Sequence, residues 1–140
     1  MAERRVVVRE TDDVTLASRV CVDVAGLLGA CTISLQRLDL VIRELCWNLV
    51  RHAGGGIIHL QGLQQQGRHG VVISSQDCGS GIASLPLHYR LQPTSNEGAT
   101  GGLGLGLAAV QRNSNEFSLQ TAPQGGTFIR AVIWWPSKSS

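Results

Sequence analysis

The sequence predicts an α+β two-layer sandwich, with a mixed, mostly antiparallel sheet covered on one face by helices. Three observations carry this expectation. Two long segments near the start place apolar residues at helical spacing. Strand-like segments then follow in sequence-adjacent pairs, each pair joined by a polar or glycine-rich turn. Strands joined by short turns pair antiparallel, and amphipathic helices must bury their stripes against the sheet they form.

The elements follow in order. Arg5 to Glu10 contains Val6-Val7-Val8 and reads as a short strand. Thr11-Asp12-Asp13 offers a helix start, with Thr11 or Asp12 as cap and acids at the positive end of the dipole. Val14, Ala17, Cys21, Val24 and Leu28 follow at helical spacing, so a first helix should run to about Gly29. Thr32 or Ser34 can cap a second helix reaching about His52, with an apolar stripe of Leu35, Leu38, Ile42, Leu45 and Leu49. Gly54-Gly55-Gly56 should end it, because glycine accepts the left-handed backbone that follows a helix. Ile57 to Leu63 and Val71 to Ser75 read as strands, with Gln64 to Gly70 as the turn between them. A third helix is expected over Leu103 to Arg112, after a glycine-rich stretch, and two last strands over Phe117 to Thr121 and Thr127 to Trp135.

The length of 140 residues suits a single domain, residues 1–140, able to bury a substantial core. At 43% hydrophobic and 16% charged residues the composition is globular. A net charge of +2 with scattered basic residues argues against a nucleic-acid partner. No stretch approaches the roughly 20 apolar residues that span a bilayer, so no membrane association is expected. Cys21, Cys31, Cys46 and Cys78 form neither a Cys-x-x-Cys pair nor a zinc pattern, which fits free thiols in the cytoplasm.

Four groups of residues carry chemistry. On the second helix, Glu44, Asn48 and Arg51 fall in one stripe with His52 at its edge. A carboxylate can take a proton from an attacking hydroxyl. A carboxamide oxygen one turn away is a neutral hard ligand suited to Mg²⁺. The same pair would also suit a solvated helix face, but this helix is apolar nearly all round, and a buried helix with one polar stripe needs something polar to face. Next, Asp77-Cys78-Gly79-Ser80-Gly81 follows a strand. Its aspartate can accept a hydrogen bond from an exocyclic amine and its glycines leave room for a flat ligand, although an Asx-turn closing a loop gives the same pattern. Third, Gly101-Gly102-Leu103-Gly104-Leu105-Gly106-Leu107 alternates glycine with leucine before a helix, so backbone N–H groups can cradle phosphates. A P-loop motif is absent. Last, Gly125-Gly126-Thr127 opens the final strand and by itself is a hairpin turn.

Together and in this order, these groups resemble the nucleotide-binding boxes of the GHKL (Bergerat) superfamily, whose members have a histidine-kinase-like ATPase fold. Glu44-x-x-x-Asn48-x-x-x-His52-Ala53 resembles its N box, Asp77-x-Gly79-x-Gly81 its first glycine box, Gly102 to Leu107 its second and Gly126-Thr127 its third. Within the superfamily, Arg43-Glu44-Leu45-Cys46-Trp47-Asn48, Thr100 to Leu107, Asn115-Glu116-Phe117 and Trp134-Trp135 are most similar to the free-standing anti-sigma-factor and switch-protein serine kinases of the RsbT type.

The resemblance implies an ATP- and Mg²⁺-dependent serine/threonine kinase acting on a STAS-domain protein in a partner-switching pathway, with a serine phosphatase or a sigma factor as further partners. The oligomeric state stays open. By resemblance, Glu44 is the general base, Asn48 holds Mg²⁺ and His52 lines the pocket or caps the helix. Asp77 bonds the adenine amine with Thr127 in support, and Gly79 and Gly81 let adenine approach. Gly101, Gly102, Leu103, Gly104, Leu105, Gly106 and Leu107 wrap the phosphates. The segment Gln92 to Thr100, where the resemblance puts the ATP lid, has no Lys or Arg, so phosphate neutralisation rests on Mg²⁺, backbone amides or Arg51. A second reading is a nucleotide-gated module that holds a sigma factor or other partner with little catalysis.

Overall fold

A computed structural model describes residues 3–77, 106–121 and 126–137. The elements are β1 (Glu3–Val8), α1 (Thr11–Leu27), α2 (Thr32–Asn48), a π-helical turn (Leu49–Ala53), β2 (Gly56–Gln65), β3 (Arg68–Gln76), α3 (Leu107–Arg112), β4 (Glu116–Thr121) and β5 (Thr127–Pro136). The strands form one sheet in the order β1-β2-β3-β5-β4. Every pairing among the described strands is antiparallel. The α+β sandwich read from the sequence is therefore present.

Strand alternation sets the two faces of the sheet. The register aligns Val6 with Ile58, Ile58 with Ser75, and Ser75 with Ile129. One step along, Leu60, Ile73 and Ala131 align. These side chains are buried and belong, apart from the serine, to the same apolar cluster as Val14, Ala17, Cys21 and Val24 of α1 and Leu38, Ile42 and Leu45 of α2. The helical stripes expected from the sequence are thus the ones that cover the sheet. Full burial of each large aliphatic side chain contributes roughly 1.5–3 kcal/mol relative to exposure. On the opposite face Val7 and Ile57 remain 50% and 39% exposed.

Several boundaries differ from the sequence expectation. The first helix begins at Thr11, so Glu10 rather than Thr11 or Asp12 is its N-cap residue. Asp13 reaches back to accept the Arg9 and Glu10 backbone N–H groups at 2.9 and 3.1 Å. Those two bonds hold the Asp13 carboxyl below the usual carboxylate range. Cys31, not Thr32 or Ser34, is the N-cap residue of α2. The strands β2 and β3 extend to Gln65 and from Arg68, leaving a two-residue turn where Gln64 to Gly70 had suggested a long one. Gln66 and Gly67 both have positive φ, the hairpin geometry that matches strand twist.

One tie joins the sheet to the helices and another joins the helices to each other. The Trp135 indole N–H donates to the Leu28 carbonyl at 3.1 Å, pinning the end of β5 to the α1–α2 connection. Between the helices, the Ser18 hydroxyl donates to Asp39, which also accepts from Arg43 Nε at 3.0 Å.

Candidate functional site

The end of α2 carries the two residues of the first predicted group. Glu44 is half-buried, and Asn48, one turn on, is 2% exposed. Asn48 Nδ2 is buried with no hydrogen-bond partner among the described residues. A buried amide left in this state is costly unless a group beyond the described residues satisfies it. Immediately after Asn48 the helix widens into the π-helical turn, a feature frequent at functional sites. Gly54, with φ of +73°, ends that turn as the sequence predicts, and Gly55 N–H closes it by donating to the Leu49 carbonyl at 2.8 Å.

Gly56 then passes where only a glycine fits. A Cβ there would collide with the Gln76 carbonyl and the Leu49 side chain. This close approach sets the end of the α2 segment against the end of β3, where Asp77 lies. Asp77 is 3% exposed and its N–H donates to the Thr127 carbonyl at 3.1 Å. Thr127, at the start of β5, is also 3% exposed, and its Oγ1 is buried without a hydrogen-bond partner among the described residues. A cavity of about 220 Å³ opens at this end of the sheet, lined by Asp77, Gly126 and Thr127 together with Gln76, Gln120, Thr121 and Phe128, and reached by neither Glu44 nor Asn48. The β3–β5 register thus brings Asp77 and Thr127 side by side.

The glycine run reaches the described residues only at its end. Gly106 adopts a left-handed conformation, φ +65°, and its carbonyl accepts the first bond of α3 from Val110 N–H at 3.1 Å. A Cβ on Gly106 would run into the Glu44 carboxylate. The backbone conformation favours glycine here, and a side chain would displace the Glu44 carboxylate from its place against the turn. Gly106 thus stands against the acid of α2, and Leu107 after it is buried in the core. Cys78, Gly79, Gly81, Gly101, Gly102, Leu103, Gly104, Leu105 and the lid segment Gln92 to Thr100 lie outside the described residues.

Other predicted neighbours sit at the rim. His52 is exposed in the π-helical turn. Arg51 is exposed and its guanidinium lies 4.7 Å from the centre of the Trp47 ring. That stacking was not anticipated, although a tryptophan and an arginine four residues apart on a helix are the signal that would have found it. Cys46 is buried in the core, and burial pushes its thiol up to about 12, so it is a neutral packing group at physiological pH. Exposed Cys31 is the opposite case, its thiol held below the usual range first by the Ser34 hydroxyl.

A buried carboxamide, a half-buried carboxylate on the same helix, a buried aspartate facing a threonine across two strands and a cramped glycine turn make up the described part of the site. Residues 34–138 match the family described as histidine kinase-, DNA gyrase B- and HSP90-like ATPases. The chain belongs to this ATPase family. Within it the chain is of the RsbT type: it is 34% identical to the serine/threonine-protein kinase RsbT of Bacillus subtilis (strain 168) over 122 residues, 87% of this chain and 89% of that protein. The fold is also similar to a chain in the crystal structure of the SiaB-SiaC complex from Pseudomonas aeruginosa, with a TM-score of 0.60 and 17% identity over 95% of this chain and 90% of that one.

Proposed function

We propose that this chain is a cytoplasmic serine/threonine kinase, a single domain that phosphorylates a STAS-domain protein and so switches that protein between partners. The observation that carries the reading is the Glu44 carboxylate, held against the Gly106 turn one helical turn before the buried Asn48 amide. The RsbT-type relationship supports the serine/threonine kinase activity. A serine phosphatase or a sigma factor as a further partner belongs to the same reading.

The residues suit magnesium and ATP. Asn48 keeps a carboxamide inside the protein with no described protein partner for its Nδ2, and its oxygen is a hard ligand of the kind Mg²⁺ takes. Bound Mg²⁺ would supply charge neutralisation on the phosphates. Asp77 and Thr127 would hold the adenine edge, where a buried carboxylate accepts from the exocyclic amine and discriminates against bases lacking it. Gly106 gives the nucleotide side of Glu44 a wall of main chain rather than side chain.

In the transfer step the acceptor hydroxyl oxygen forms a bond to the γ-phosphorus, and the bond from that phosphorus to the β–γ bridging oxygen breaks. The leaving electron pair stays on the ADP β-phosphate. The hydroxyl proton passes to the Glu44 carboxylate. Catalysis in this scheme is positioning plus electrostatic stabilisation.

Label transfer from γ-labelled ATP to a STAS-domain protein of the same genome tests the reading. Wild type should label a Ser or Thr stoichiometrically. Glu44→Ala should lose roughly 10²–10⁴-fold in transfer rate, the share usual for a general base, while ATP affinity stays nearly unchanged. Equal loss of binding and transfer counts against the base role. A tight ATP-dependent complex without label would favour the nucleotide-gated binding module instead.

A further inference from the structure

The acid of α2 does not stand alone on its helix face. Ile33, Arg37, Leu40, Glu44, Trp47 and Arg51 recur at alternating steps of four and three residues. At 100° per residue they span an arc of about 80°, one stripe running the length of α2 into the π-helical turn. None of the six is buried: Ile33 is 67% and Leu40 37% exposed, Arg51 is exposed, and the other three are half-buried. The stripe combines three apolar side chains and two cations with one carboxylate, Glu44. Arg43, on the neighbouring face, is already paired with Asp39 at 3.0 Å.

The kinase reading places an acceptor hydroxyl within hydrogen-bond reach of Glu44. The residues flanking that hydroxyl must then cross this stripe. Leu40 lies about 6 Å along the helix axis from Glu44, and Trp47 about 4.5 Å on the other side, at 1.5 Å per residue. An extended chain advances about 3.3 Å per residue, so Leu40 lies opposite a position about two residues from the acceptor and Trp47 opposite one about one to two residues away. Arg37, about 10.5 Å from Glu44, lies opposite a position about three residues away.

We propose that this part-exposed stripe of α2 is the docking surface for the substrate protein, and that it takes a segment with apolar residues about one to two positions from the acceptor Ser or Thr and an acidic residue about three positions away. The inference rests on the kinase reading and adds the recognition rule. Charge selects the occupant: two cations flank the acid, so an acidic segment is attracted and a basic one repelled. The apolar residues supply the contact area. The exposed Leu16 and Leu27 of α1 are rival apolar positions, but no reacting group accompanies them.

The test compares Leu40→Glu and Arg37→Glu with wild type, using a STAS-domain protein that wild type labels. Both variants are surface changes and should keep wild-type circular dichroism and wild-type thermal shift with MgATP. KM for the substrate protein should rise by about tenfold or more for each, with kcat within about threefold. An Asp or Glu three residues from the acceptor, changed to Arg in the substrate, should restore much of the loss in Arg37→Glu and none in Leu40→Glu. Unchanged KM in both variants overturns the docking surface and leaves the kinase reading standing. No label on any partner from wild type removes both. A wild-type dimer that Leu40→Glu converts to monomer in sedimentation would assign the stripe to a second copy and overturn the proposal.

Discussion

Replacing Gly106 by alanine separates the contact that defines the site from generic backbone strain. Gly106 has φ of +65°, and a Cβ there meets the Glu44 carboxylate. The left-handed conformation costs an ordinary residue about 1–2 kcal/mol. The Glu44 carboxyl ends a flexible side chain, so it swings aside for an added methyl, and displacement of the acid rather than overpacking is the consequence. A loss of about 1–2 kcal/mol from the roughly 5–15 kcal/mol typical of a domain leaves the variant folded. Gly67→Ala supplies the control: its φ is +80° and nothing lies within 4 Å of an added Cβ, so only the strain applies. With a urea slope of about 2 kcal/mol/M, both midpoints should fall by about 0.5–1 M. Phosphoryl transfer should drop sharply for Gly106→Ala and stay at wild type for Gly67→Ala. Full transfer activity in Gly106→Ala would refute the claim that this turn seats the acid.

Other consequences are open to direct measurement. Trp135→Phe removes the donor to the Leu28 carbonyl and should cost about 0.5–1.5 kcal/mol in urea unfolding with no change in ATP affinity. Among Cys21, Cys31 and Cys46, only exposed Cys31, with its lowered thiol, should be alkylated by iodoacetamide at neutral pH, as peptide mass spectrometry would read. Burial raises the Cys21 and Cys46 thiols from 9.0 to about 12, so their neutral forms favour the folded state. That contribution is complete below about pH 9 and is lost as pH rises toward 12; Cys46→Ala should flatten the alkaline fall in stability, and an unchanged fall would contradict it. Asp13 works in the opposite direction. Its lowered carboxyl favours the fold above about pH 4 and loses that effect as pH falls through the lowered value, so Asp13→Asn should remove part of the acid dependence of unfolding.

The sequence made some of this legible and hid the rest for identifiable reasons. Helical spacing revealed the buried stripes of α1 and α2, because burial of one face imposes that period. It could not reveal the ends of β2 and β3. Gln64, Gln65, Arg68 and His69 pair through their backbones while their side chains stay exposed or half-buried, so no apolar alternation marks them. Nor could it reveal Glu10 as N-cap, since Asp13 reaching back competes with Thr11 and Asp12 capping forward. The packing of Leu49, in the π-helical turn, over Gly56 is a contact between elements that no apolar spacing encodes. In the site, Glu44 and Asn48 were readable as neighbours on one helix. Their relation to Gly106, and that of Asp77 to Thr127, join residues distant in sequence through helix packing and strand register. Only the order of the motifs hinted at those meetings.

The central claim is a nucleotide cleft built on a buried aspartate at the end of β3. Calorimetric titration of MgATP into wild type and Asp77→Asn tests it most directly. Saturable binding to wild type is expected, weakened about tenfold or more in the variant by loss of a charge-assisted bond. No saturable binding to wild type, or equal affinity in both proteins, would contradict the account.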